Sequence, residues 1–206
     1  MRRLHIVYAM LLLLAGGSPL SAADFRLSAL KDGGYVIVFR HGATDETQKD
    51  IYPFNFEDMK AQRQLSDKGR DSARQIAVAI KKLGIPVGEV YTSRLNRAVE
   101  TGKLLTNKPV KPIDGLTDSN AGSASGMANP TGGNAKAGQA LRELVNAAPK
   151  AGTDILLVTH KTNITDAFGK ELSDVQEGEA LVYKSNGSAP SALVARIKPA
   201  DWTAAN

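Results

Sequence analysis

Two stretches of the chain are apolar on both faces of an extended backbone. Residues 35–39 read YVIVF and residues 154–159 read DILLVT, without the alternation of a strand that has one wet face. Strands of this kind belong to a parallel sheet covered by helices on both sides. Between them the period changes. Ala73, Ile76, Ala77, Ile80 and Leu83 recur at helical spacing behind Ser66, a candidate N-cap, with Gly84 and Pro86 beyond the end, which predicts an amphipathic helix. The segment GEVYTS then predicts a short strand, and Leu95, Ala98, Val99 and Leu105 predict a second helix over SRLNRAVETGKLLT. Residues 115–138 are rich in Gly, Ser and Asn and predict a long loop. A further helix follows at QALRELVNAA, and EALVYK and ALVARI alternate around SNGSAP as a hairpin does. Strands alternating with helices and closing on a hairpin predict an α/β fold, a three-layer α/β/α sandwich whose sheet is mostly parallel with an antiparallel edge.

The first residues stand apart from this pattern. Arg2 and Arg3 precede an apolar run to Ala15 and then a small-residue stretch, with Ser21 and Ala23 placed for cleavage before Asp24. Residues 1–23 therefore read as a secretory signal peptide, and residues 24–206 as a single domain exported to a bacterial periplasm. No second apolar run of that length follows, so no stable membrane insertion is expected after cleavage. The formal net charge of +5 becomes +3 when Arg2 and Arg3 are set aside, and no Lys/Arg block of the kind nucleic-acid binders carry is present. The mild positive balance fits a small anionic substrate. The absence of cysteine excludes disulfides, thiol nucleophiles and cysteine-ligated metals together.

Candidate chemistry gathers where the strands end, because ligands in open α/β sheets bind outside the carboxyl ends of the strands. His41 and His160 both fall there, and the only other histidine, His5, lies in the signal segment. Arg40 adjoins His41, Arg97 follows the third strand, and Asp118 lies in the long loop. Guanidinium forks hold phosphoryl oxygens in bidentate fashion and suit them better than ammonium groups. Their charge also disfavours imidazolium, keeping a ring nitrogen free to attack phosphorus, while a carboxyl group can protonate the leaving oxygen and then activate water. Two histidines and a carboxylate could instead hold a divalent ion. Two adjacent arginines would repel it, so no metal and no other cofactor is expected.

These residues resemble the histidine phosphatases of the phosphoglycerate mutase-like superfamily, in particular a small exported member of branch 1. FRHGATD is similar to the Arg-His-Gly signature, RQLSDKGRDSARQIA to the Leu-Ser/Thr-x-x-Gly-Arg helix start, YTSRLNRAVET to the Ser-x-Leu-x-Arg-Ala-x-x-Thr segment, and VTHKTNI to the second-histidine strand. The resemblance implies His41 as phosphorylated nucleophile, Arg40 and Arg97 as phosphate ligands, and His160 as their partner on the phosphoryl oxygens. It implies Asp118 as proton donor, in a stretch LTDSNAG that departs from the family's Leu-x-Glu-x-x-aromatic-Gly pattern and leaves Asp45 as an alternative. Arg94 could line the pocket mouth or make an ordinary salt bridge. Asn163 could orient the loop after His160 or cap the next helix. Tyr52, Phe54 and Phe56 could wall a leaving group or simply pack.

The expectation is a secreted, metal-independent phosphomonoesterase acting on a small phosphorylated substrate or a phosphorylated surface component, without nucleic-acid partners. A phosphomutase and a non-catalytic phosphoanion-binding module of the same fold are the alternatives. The segment between Thr106 and Asp154 has room for a loop and one helix, whereas family members with mutase or large acid-phosphatase specificity tend to carry bigger insertions there, so the resemblance implies transfer to water rather than mutase chemistry.

Overall fold

The structure, a computed structural model, describes residues 27–117, 133–185 and 190–204. The expected signal segment, Asp118 and most of the long loop lie outside these residues. Six strands form one sheet in the order β3-β2-β4-β1-β5-β6: β1 (Tyr35–Arg40), β2 (Val87–Thr92), β3 (Val110–Pro112), β4 (Asp154–Thr159), β5 (Ala180–Lys184) and β6 (Ala192–Ile197). The helices are α1 (Asp67–Lys82), α2 (Asn96–Leu105), α3 (Gly133–Asn146), α4 (Lys161–Phe168) and α5 (Pro199–Ala204). β1 and β4 are parallel neighbours with Val36 opposite Ile155 and Arg40 opposite Thr159. β2 pairs parallel with both β4 and β3. β5 runs antiparallel to β1 and to β6, so β5 alone opposes the sheet direction.

The three layers follow from the apolar character of the central strands. Ile37 and Phe39 of β1 with Leu156 and Val158 of β4 pack against Ala73, Ile76 and Ile80 of α1 and Ala98 and Leu105 of α2. Val36 and Val38 with Ile155 and Leu157 face Leu141 and Val145 of α3 and Ile164 and Ala167 of α4. Continuous apolar strands are what such double coverage requires. Ser66 caps α1 as predicted, its hydroxyl accepting from Gly69 N–H at 3.1 Å. Gly84, just past the helix, takes φ of +67°, a left-handed conformation that costs glycine little.

The sequence reading missed some elements. α3 starts at Gly133 inside the segment read as loop, and Leu116 in that segment is fully buried. Gly138 explains part of the misreading: a side chain there would collide with the Asp166 backbone, so a residue that reads as a loop former is required for α3 to approach α4. β3 and α5 are too short to carry a periodic signal. Trp202 on α5 is nonetheless fully buried, its ring 6.0 Å from that of Phe39.

At the amino end of β4, away from the histidines, Asp154 is fully buried with Oδ1 accepting from Tyr35 N–H at 2.9 Å. Burial pushes its pKa from 3.8 up to about 6, against the opposing effects of the Tyr35 bond and the Lys184 charge. The folded state thus holds this proton more tightly than the unfolded chain does. The stabilising contribution is complete below pH 3.8 and is lost as pH rises through about 6, a difference of about 3 kcal/mol. Urea unfolding should show Asp154→Asn gaining on the parent protein between pH 4 and pH 7 by up to that amount.

Candidate active site

The Arg40–His41–Gly42 segment leaves the carboxyl end of β1 and is fixed from three sides. His41 N–H donates to Thr159 O of β4 at 3.0 Å, and Gly178 N–H donates to His41 O at 2.9 Å. Gly42 N–H donates to the Thr101 hydroxyl of α2 at 3.1 Å, and that hydroxyl donates to Arg97 O at 2.7 Å. Beneath the segment runs the start of α1. Ser66 N–H donates to Ala43 O at 2.9 Å, and a side chain on Gly69 would collide with the Ala43 backbone. The Gly of the Leu-Ser-x-x-Gly-Arg segment is thereby explained as a site of close backbone approach.

His41 and His160 are both 3% exposed, and their ring centroids lie 5.1 Å apart. His41 Nδ1 is 2.8 Å from Gly42 O. A carbonyl can only accept, so Nδ1 carries the proton and Nε2 keeps its lone pair. Burial first, then the Arg97 charge, pushes the His41 pKa from 6.5 down to about 3, with Arg40 and Arg63 adding to the effect and the Gly42 bond opposing it. His160 is held well below its ordinary value by burial, Arg97, His41, Arg40 and Arg63, in that order. Its Nε2 lies 2.8 Å from the Ser93 hydroxyl. That hydroxyl accepts from Leu95 N–H at 3.1 Å, and the Thr117 hydroxyl is 3.5 Å away. The tautomer of the ring decides whether this hydroxyl donates to Nε2 or accepts from it.

The arginines lie around this pair. Arg97, on α2 beside Thr101, is 2% exposed and donates from Nη1 to Asp50 Oδ1 at 2.9 Å. Arg40 donates to Val175 O at 2.8 Å and pairs with Glu177 at 3.4 Å. Arg63, whose buried Nε has no protein partner, contributes a third positive charge felt by both histidines. Neutral histidines amid guanidinium charge can attract an anion and present a nitrogen lone pair to it. Among the described residues, no three His, Cys, Asp or Glu side chains gather as a metal site.

The family model of the histidine phosphatase superfamily (branch 1) matches residues 36–135, from the first core strand past Arg97. The chain belongs to this superfamily. No curated protein sequence matches it significantly. Solved structures show the same fold. They include the protein histidine phosphatase SixA complexed with tungstate, 17% identical over 81% of this chain and 98% of that chain with a TM-score of 0.55. A mycobacterial glucosyl-3-phosphoglycerate phosphatase complexed with VO3 matches at 16% identity, 79% and 100% coverage and a TM-score of 0.54. Phosphoserine phosphatase from Entamoeba histolytica, in complex with 3-phosphoglyceric acid, matches at 18% identity, 79% and 95% coverage and a TM-score of 0.53. Among the described residues of this histidine phosphatase superfamily member, no helix is long and apolar enough to cross a membrane.

Of the residues read from sequence, Arg40, His41, Arg97 and His160 come together, while Asp118 lies outside the described residues. Thr117, immediately before it, is held by Arg94 N–H at 2.9 Å and by Asn163 Nδ2 at 3.4 Å, so Asn163 ties the second-histidine helix to that segment. Asp45, the alternative acid, is engaged locally. Its carboxylate accepts from Thr47 N–H, the Thr47 hydroxyl and Gln48, and the Thr47 hydroxyl chiefly holds its pKa below the usual carboxylate range. Arg94 pairs with Asp114 at 3.0 Å and lies 4.1 Å over the Phe56 ring. Tyr52, Phe54 and Phe56 make a strip of successive ring contacts ending at Arg94. Ser93 and Thr101 were present in the motif without an assigned role, whereas Asp50, Arg63 and Glu177 gave no spacing signal at all.

Because the folded pKa of His41 lies below the unfolded value, its stabilising contribution is present above pH 6.5 and lost as pH falls towards 3. Nitrogen-resolved NMR of the phosphate-free protein should find the His41 ring still neutral at pH 5, protonated on Nδ1.

Proposed function

We propose that the protein is an exported, metal-independent phosphomonoesterase working through a phosphohistidine on His41. The observation that carries this reading is the orientation of His41, with its proton committed to Gly42 O and Nε2 left as the free nucleophile between buried cations. Arg40, Arg97 and His160 would hold the phosphoryl oxygens as negative charge spreads over them. In the first step the Nε2 lone pair forms the N–P bond while the P–O bond to the leaving group breaks. Asp118, next in sequence to the anchored Thr117, gives its proton to the departing oxygen. In the second step water attacks phosphorus, the same carboxylate takes a proton from that water, and the N–P bond breaks to release phosphate.

The superfamily supports a phosphatase, and the solved relatives that hold tungstate, VO3 or a phosphorylated acid support a small phosphorylated ligand. Metal independence rests on the charge of the site, since Arg40, Arg63 and Arg97 would repel a dication. Export rests on the layout of residues 1–23, which makes a small phosphoester or a phosphorylated surface component of the periplasm the substrate.

Rapid quench with a labelled phosphoester should trap an acid-labile, base-stable phosphoprotein that is absent in His41→Ala. Turnover should persist in EDTA, and Arg97→Ala should reduce it by roughly 10² to 10³. Tight phosphate binding without turnover, unaltered in Asp118→Ala, would instead identify a phosphoanion-binding module.

A further inference from the structure

We infer that Asp50 is a positioning residue for the phosphate-binding arginine: it fixes one edge of the Arg97 guanidinium so that the group meets the phosphoryl oxygens in a single orientation. This inference rests on the phosphatase reading above. Asp50 lies in the loop between β1 and α1, outside the motifs read from the sequence. Its Oδ1 accepts from Arg97 Nη1 at 2.9 Å and from Arg63 N–H at 2.8 Å. The side chains of Arg97 and Asp50 are only 2% and 10% exposed. The contact is thus a largely desolvated ion pair, in which the attraction is little screened by water. Other ion pairs of the protein, such as Arg74–Asp71 with 57% and 67% exposure, have water as an alternative.

The position of the pair gives it a catalytic consequence. Arg97 is the charge that most strongly affects both His41 and His160, and its own backbone oxygen accepts from the Thr101 hydroxyl that anchors Gly42. Its main chain is therefore set by α2, but a long side chain needs a second fixed point to hold its fork. Asp50 supplies that point from across the pocket. Arg40 has an equivalent arrangement, with Val175 O and Glu177 on its guanidinium. Each expected phosphate arginine is thus tethered by an element remote in sequence. Asp50 Oδ1 acts as an acceptor in both of its contacts, which is the role of a group that holds rather than one that gives up a proton.

A displacement of about 1 Å in a positioned group can cost about 10²-fold in rate. The test combines kinetics with a direct view of the guanidinium. In Asp50→Ala, kcat/KM for p-nitrophenyl phosphate should fall on the order of 10²-fold. The Arg97 Nη resonances, separate in the parent protein because rotation about Nε–Cζ is restrained, should average together. Asp50→Asn keeps the acceptor oxygen and the side-chain shape, so it should restore part of the loss and also controls for misfolding. If kcat/KM in both variants stays within about twofold of the parent protein, or the Arg97 resonances are unchanged, the positioning role falls. If the parent protein forms no phosphohistidine, the phosphatase reading falls, while the NMR comparison still decides whether Asp50 restrains Arg97.

Discussion

The parallel pairing of β1 with β4 determines where the chemistry can occur. Arg40 lies opposite Thr159 at the last rung, and the His41 N–H to Thr159 O bond extends the ladder one step further. Two strands that run together and stop together deliver their next residues, His41 and His160, side by side at one edge of the sheet. An antiparallel pair would have placed them at opposite edges. The strands are apolar on both faces because helices cover them, so both histidines emerge from a water-poor core. Burial is accordingly the largest cause of their low proton affinity, and the fold that positions the rings also keeps them neutral.

Neutral rings amid guanidinium groups raise the question of how the charge is contained before substrate arrives. Arg40 and Arg97 each find a carboxylate, Glu177 and Asp50 respectively, while Arg63 has a buried Nε without a protein partner. Partial compensation of this kind lets the site exist without an anion and still leaves net positive charge for one. Full compensation would make phosphate compete on equal terms with the protein's own carboxylates. No compensation would place three guanidinium groups around a buried imidazole pair with nothing to offset their repulsion.

The parts of this arrangement legible in the sequence are those fixed by local geometry. Apolar strand runs, helix periodicity and the Ser66 cap depend on neighbours within a few positions, and some motif residues around the RHG loop recur at a spacing set by a helix turn. Arg97 and Thr101, four apart on α2, face that loop together. Asp50 and Glu177 were not legible, because their value depends on which distant arginine they meet. Leu116 and Trp202 were missed for a related reason: one buried side chain in a short element has no period to betray it.

The two ends of β4 impose opposite demands on the same pH range. At its amino end, Asp154 is destabilising once ionised, so its contribution falls as pH rises towards about 6. At its carboxyl end, neutral His160 and its neighbour His41 favour the folded state as pH rises over much of the same interval. These slopes oppose each other over the pH range they share. A chain relieved of the Asp154 carboxyl would be more stable at neutral pH and would lose more of that stability on acidification, because the opposing contribution would be gone. The buried carboxyl at the amino end of β4 thus offsets part of the acid sensitivity that the buried histidines impose.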